Sequence, residues 1–191
     1  MTGSVMPTRR LGDVELPAAG TWKIDPGHAE VGFVGRHFML TKVRGRFTGV
    51  DGAVEVAENP ADSKVSVTID MASVNSGDQA RDDHLRSADF FDVDGNPTAA
   101  FTSTEVRWEG SGGSMTGDLT IKGVTRPVTL SIDYLGYAQD PWDNHRAVFS
   151  ARSRINREDW GLTWNMPLAK GGLLVSREID LQFEVELIYA G

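Results

Sequence analysis

The clearest pattern in the chain lies near its end, from Glu178 to Leu187, where the sequence reads E-I-D-L-Q-F-E-V-E-L. Ile179, Leu181, Phe183, Val185 and Leu187 alternate without a break with Asp180, Gln182, Glu184 and Glu186. Successive side chains of a strand point to opposite faces, so this segment predicts a strand with one apolar and one charged face. Such strands belong to antiparallel sheets that are dry on one side and wet on the other. The same period recurs upstream. Val65, Val67 and Ile69 alternate with Ser66, Thr68 and Asp70, and Val128, Leu130 and Ile132 alternate with Thr129, Ser131 and Asp133. Further strands are expected at Thr21 to Ile24, Glu30 to Phe38, Val43 to Val56, Ala99 to Trp108, Ser114 to Ile121 and Ala147 to Ile155.

Breaks in the period are as informative as the period. Asp25-Pro26-Gly27-His28 predicts a turn between the first two strands. Gly45, Gly49 and Gly52 predict the bends that a closing barrel needs at its corners. Ser76 to Ala88 loses the alternation. Ser76 followed by Gln79 fits a capping box, and Asp78, Asp82 and Asp83 gather where a helix dipole favours negative charge. One short helix is expected there. A long connection, Asn156 to Gly172, holds Trp160, Trp164 and Pro167. The whole pattern predicts an all-β fold: an antiparallel up-and-down barrel of about eight strands, lipocalin-like, with one short inserted helix. Residues 20–191 are assigned to the barrel and residues 1–19 to an N-terminal tail.

Composition narrows the function. A chain of 191 residues suits one domain. Its formal charge of −8 disfavours nucleic acid as a partner. There is no cysteine, hence no disulfide and no thiolate chemistry. Arg9 and Arg10 are not followed by a continuous apolar run, so neither a signal peptide nor a spanning helix is expected in this stretch. Cytoplasmic location without stable membrane insertion is the corresponding expectation. His28, His37, His84 and His145 are scattered without ligand spacing, so no metal site is expected. No nucleophile elbow, phosphate loop or dinucleotide fingerprint is present, so no catalytic residue and no cofactor is assigned.

Five stretches resemble the YceI-like family. They are G-T-W-K-I-D-P-G-H-A-E-V-G-F from Gly20, K-V-R-G-R-F from Lys42, R-D-D-H-L-R-S-A-D-F-F-D from Arg81, L-T-I-K-G-V-T-R-P-V-T-L from Leu119 and I-N-R-E-D-W-G-L-T-W-N from Ile155. They occur in the family's order and cover about Gly20 to Leu187. The resemblance implies a lipocalin-like barrel that binds polyisoprenoid lipids, isoprenoid quinone-like chains or fatty amides. It is compatible with a homodimer. Many members carry a secretion signal, and the first residues of this chain do not resemble one.

A prenyl chain has no charge to recognise, and each buried methylene is worth roughly 0.8 kcal/mol, so its site should be a deep apolar slot. The expected wall is Val31, Phe33, Phe47, Val67, Ile69, Phe101, Leu119, Ile121, Leu130, Ile132, Phe149, Leu181 and Phe183. Phe90, Phe91, Trp160, Leu162 and Trp164 lie in connections and are expected at the lining or mouth. They would equally serve as a plug. His37, on the face of Val31 and Phe33, is a candidate hydrogen-bonding group for a lipid head. Arg44, Arg46 and Arg154 are candidates for a polar or phosphate head. Alternation does not separate a hollow barrel from a filled one. The expected role is therefore binding, transport or storage of a long apolar molecule, with no chemical step. A lipid-modifying enzyme and a solid barrel used as an interaction module are the alternatives.

Overall fold

The computed structural model describes residues 7–191. A hairpin of β1 (Thr8–Leu11) and β2 (Val14–Pro17) precedes the long strand β3 (Gly20–His37). Next come β4 (Thr41–Phe47), β5 (Val50–Val56), β6 (Lys64–Asp70), the short β7 (Val74–Asn75) and helix α1 (Gln79–Arg86). β8 (Thr98–Glu109), β9 (Gly112–Ile121), β10 (Val124–Gln139), β11 (His145–Asn156) and β12 (Glu178–Tyr189) complete the chain.

Antiparallel pairing runs β3-β5-β6-β8-β9-β10-β11-β12, and β12 returns to pair with β3. That return closes an eight-stranded, mainly up-and-down barrel and leaves no free edge in the ring. β4 departs from the simple order: it pairs with the far part of β3, on the side that β5 takes lower down, and with β7. The strand with the cleanest alternation is the closing one. Leu181 lies opposite Phe33, and Phe183 opposite Val31, so its apolar face joins the inner wall.

Three local expectations are corrected. The Asp25-Pro26-Gly27-His28 turn is instead a bulged part of one 18-residue strand. On one side Gly20–Lys23 pairs with β5 and Val31–His37 with β4, so Ile24–Glu30 has no ladder partner there. Pro26 therefore forfeits no ladder bond on that side. The Val43 to Val56 segment is two strands, split at Thr48-Gly49. The helix is capped by Asp78, whose carboxylate accepts from Arg81 N–H at 2.9 Å, rather than by Ser76. Ser76 is drawn away by the buried Asp82 carboxylate, to which its backbone N–H donates at 2.8 Å.

The loops divide between two ends. At the lower end are the connections near 18–20, 57–63, 110–111 and 140–144. Here the stretch expected as a tail contains the β1–β2 hairpin, with Leu16 buried; residues 1–6 lie outside the described residues. Trp22 is fully buried, donates from its indole nitrogen to Ala18 O at 3.0 Å and packs on Tyr189 at 5.0 Å between ring centroids. Ala147 and Leu187 complete this floor. At the upper end stand the β3–β4 turn, the α1 segment and the 157–177 connection. Among the described residues no helix is long and apolar enough to cross a membrane.

Candidate functional site

The site is built from the inner face of the ring. Cross-strand pairs put Val31, Phe33 and Phe47 on it with Leu181 and Phe183. Val67 and Ile69 follow opposite Phe101 and Ala99, and Phe101 lies opposite Leu119. Met115 faces Leu130, Ile121 faces Val124, Ile132 faces Ala151, and Phe149 faces Val185. All thirteen residues expected on the wall share this face.

They are not packed alike. Val31, Phe47, Phe101, Leu119, Leu130 and Ile132 are buried. Phe33, Val67, Ile69, Ile121, Phe149, Leu181 and Phe183 are only half-buried, as are their neighbours Val65, Ile155, Ile179 and Val185. All of these except Ile179 pack against one or both of the two clusters of buried residues. The middle of the barrel is therefore an apolar region less completely buried than the two clusters it joins.

Two glycines set how aromatic rings lie along this wall. A Cβ on Gly45 would lie 2.7 and 2.8 Å from Phe33 Cε1 and Cε2. A Cβ on Gly117 would lie 2.7 Å from Phe101 Cε2. Each phenyl ring thus lies flat along the wall over a glycine of the next strand instead of projecting inward. The sequence suggested Gly45 as a bend; its role as a bed for a ring depends on cross-strand register and was not visible there.

The upper end is closed in two layers. Phe91, Trp160 and Leu162 form the inner layer, packed on the wall clusters; Phe91 meets Phe47 at 5.6 Å, and Trp160 donates to Leu119 O at 2.9 Å. Phe90 and Trp164 form the outer layer, 5.3 Å apart, with His84 against both at 5.0 and 4.5 Å. His84, one of the scattered histidines, is thus part of the cap. Arg157 holds the layers together. It is buried and donates to Ser176 O and Trp164 O at 2.9 Å each and to Leu162 O, with its guanidinium over Phe90. Burial pushes its pKa down, and the three carbonyls partly replace the lost hydration. Nothing in the sequence pattern had separated Arg157 from surface arginines.

His37 lies at the tip of β3, stacked on Phe38 at 4.0 Å and paired with Thr41, beyond both wall clusters. Arg44, Arg46 and Arg154 alternate with inward residues and so face outward; Arg154 is ion-paired with Asp180 at 2.6 Å. The polar group the lower wall does carry is Tyr134, packed on Phe149 at 5.1 Å, whose phenol burial pushes up to about 12. It remains a neutral donor at physiological pH. Outside the wall, Asp25, His28 and Glu186 bring three potential ligand atoms within 4.8 Å of one another. Arg146 already sits on Asp25 at 2.6 Å and on Glu186 at 3.0 Å, which weakens the pull on a cation.

Known proteins share this fold. A model of the YceI-like domain matches residues 22–187. The chain belongs to the YceI-like domain family. A UPF0312 protein of Photorhabdus laumondii is 41% identical over 171 residues, covering 88% of this chain and 86% of the relative. The protein YceI of Escherichia coli is 41% identical with the same coverage. Among solved structures, the Campylobacter jejuni YceI protein is 30% identical at a TM-score of 0.70, over 82% of this chain and 90% of that one. A polyisoprenoid binding domain from Saccharophagus degradans, 16% identical, shares the fold at a TM-score of 0.63 over 91% of this chain and all of that one. The YceI-like barrel thus accounts for every element from Trp22 to Leu187; the β1–β2 hairpin lies before the matched residues.

Proposed function

We propose that the middle of the barrel is a lumen that holds one long apolar molecule, an isoprenoid or isoprenoid quinone-like lipid, and that the protein carries or stores it in water without altering it. The observation that supports this most is the half-buried inner wall: Phe33, Val67, Ile69, Phe149, Leu181 and Phe183 point into the ring and still keep accessible surface. Each methylene moved from water onto such a wall contributes roughly 0.8 kcal/mol, so a few isoprene units outweigh the ordering cost of a flexible chain. The YceI-like resemblance points to the same ligand class, and the Saccharophagus degradans domain is described as polyisoprenoid binding. Tyr134 is the wall's polar contact for a head group or a quinone oxygen.

The test is an organic extract of the purified protein read by mass spectrometry, with added prenyl lipid as a second arm. A stoichiometric, unmodified prenyl lipid is expected. An empty extract with no uptake of added lipid would sink the carrier reading, and chemical conversion of the added lipid would replace it with an enzyme.

A further inference from the structure

β3 and β4 extend past the closed ring and are joined by a turn from His37 to Leu40, in which Leu40 N–H donates to His37 O at 3.0 Å. Its two central residues, Phe38 and Met39, have φ of 55° and 60°. This is the backbone of a type I′ turn, whose centre ordinarily takes Asn-Gly because both residues need positive φ. Bulky side chains are strained in that region. The fold does not gain from them in return: Phe38, Met39 and Leu40 are 47%, 53% and 79% exposed. A second turn stands alongside. Phe38 N–H donates to Leu174 O, and Leu174 N–H to Met166 O, each at 2.9 Å. Gly171 and Gly172 take positive φ there, and Met166 is 53% exposed. Two adjacent turns thus present one apolar tip to solvent.

The charge around the tip is opposite to that of the chain. Residues 31–50 hold Arg36, Lys42, Arg44 and Arg46 and no acidic residue; residues 160–177 hold Lys170 and Arg177 and again none, in a chain of net charge −8. Arg36, Lys42, Arg44 and Lys170 are exposed, and the ion pairs found among the described residues use none of them. Below the tip a groove of about 450 Å³ is lined by four cations, Arg36, Lys42, Arg154 and Arg177, and two carboxylates, Glu178 and Asp180, with Met39 beside them. The lower end provides an internal contrast. Trp142 is also 79% exposed, but its neighbours in sequence are Asp140 and Asp143.

We propose that this apex docks the protein on the surface of anionic bilayers. Phe38, Met39, Leu40 and Met166 enter the boundary between head groups and acyl chains, while Arg36, Lys42, Arg44 and Lys170 rest against lipid phosphates. An exposed apolar tip gains by leaving water, and a cationic collar is attracted to the negative surface potential. Docking at this end sets the capped mouth of the barrel, not its floor, against the lipid. It goes beyond the carrier reading and does not depend on what fills the lumen.

The full chain is sedimented with vesicles of phosphatidylcholine containing phosphatidylglycerol and free of prenyl lipid. Failure here leaves the contents of the lumen untouched. Co-sedimentation is expected, weakened by added salt and by omission of phosphatidylglycerol. Leu40→Asp should lower partitioning by at least about tenfold. Because that variant alone does not exclude damage to the fold, Phe38→Asn combined with Met39→Gly supplies a second test. This pair suits the type I′ turn, so it should raise the melting temperature while abolishing vesicle binding. Absence of wild-type binding to the anionic vesicles would overturn the proposal, as would full binding by the double variant. A change in self-association with Leu40→Asp, without a change in partitioning, would also overturn it and make the apex a contact between copies.

Discussion

At the lower end of the barrel Trp22, Ala147 and Leu187 are sealed from water, with no more than 1% of their surface exposed. Two pairs up the same closing strand, Phe183 and Leu181 are half-buried against the lumen. The two regions carry the same alternation and the same residue types. They differ in packing: Trp22 lies against Tyr189 at 5.0 Å between ring centroids, whereas Leu181 and Phe183 keep accessible surface on the wall. An apolar residue that touches other side chains all round holds the fold. One with an open side encloses space. Burial, not hydrophobicity, distinguishes foundation from container.

Truncation breaks this comparison most directly. Leu187→Ala removes a fully buried side chain and leaves a cavity, so it should cost about 2–5 kcal/mol in urea unfolding. Leu181→Ala, whose half-buried side chain lines the proposed lumen, should cost about 1 kcal/mol or less in the ligand-free protein. Equal costs would mean that the lumen is packed. Phe183→Asp sharpens the point at the same level of the wall. A charge on the dry face has no partner, so lipid retention should vanish in an extract assay even where the barrel still folds. Asp180→Ala, on the opposite face and half-buried beside an exposed Arg154, should retain lipid and lose no more than about 1 kcal/mol.

The ring was legible because strict alternation in β6, β10 and β12 leaves one face to bury. Its inner residues followed, since period two assigns faces without knowledge of neighbours. What period two does not carry is register and reach. Arg157 looks like any loop arginine until the 162–176 connection folds back over it. His37 obeys the inward pattern of Val31 and Phe33, yet β3 outruns the ring before reaching it. The β1–β2 hairpin is short and mixed in polarity, and its docking on the barrel depends on Leu16 and on Ala18, neither of which forms a periodic signal. Hollowness was also illegible, because a filled and an empty barrel share one pattern.

Gly45 offers a finer probe of the middle region. Adding a methyl group there displaces the end of the Phe33 ring, which can swing only toward the lumen. Gly45→Ala should therefore weaken lipid binding, by about tenfold, while costing the fold about 1 kcal/mol. Gly117→Ala is the contrasting variant: its new Cβ would also lie 2.6 Å from the backbone oxygen of Thr102, which cannot swing aside, so folding itself should suffer more. Similar stability losses from both would show that the Phe33 ring is held by more than the empty space beside it.

The smallest effect concerns how the floor end is tied together outside. Arg146 bonds Asp25 at 2.6 Å, Asp140 at 2.9 Å and Glu186 at 3.0 Å, joining the β3 bulge to β11, β12 and the loop before β11. The Arg146 guanidinium, helped by His28, holds the Asp25 carboxyl down to about 2 from its ordinary 3.8. At Asp140 burial opposes ionisation, but bonds from Asn144 and Arg146 outweigh it and keep that carboxyl low as well. A depressed folded pKa means that the folded state favours the ionised form. The contribution is complete above about pH 4 and is lost as pH falls toward 2. The urea midpoint should therefore decline through that window, and Arg146→Gln should start lower at neutral pH and decline less. The lumen wall has no carboxylate in its apolar ring, so Leu181→Ala should leave the acid-induced decline unchanged. An altered decline in Leu181→Ala would mean that floor and lumen are one cooperative packing unit rather than two regions with separate tasks.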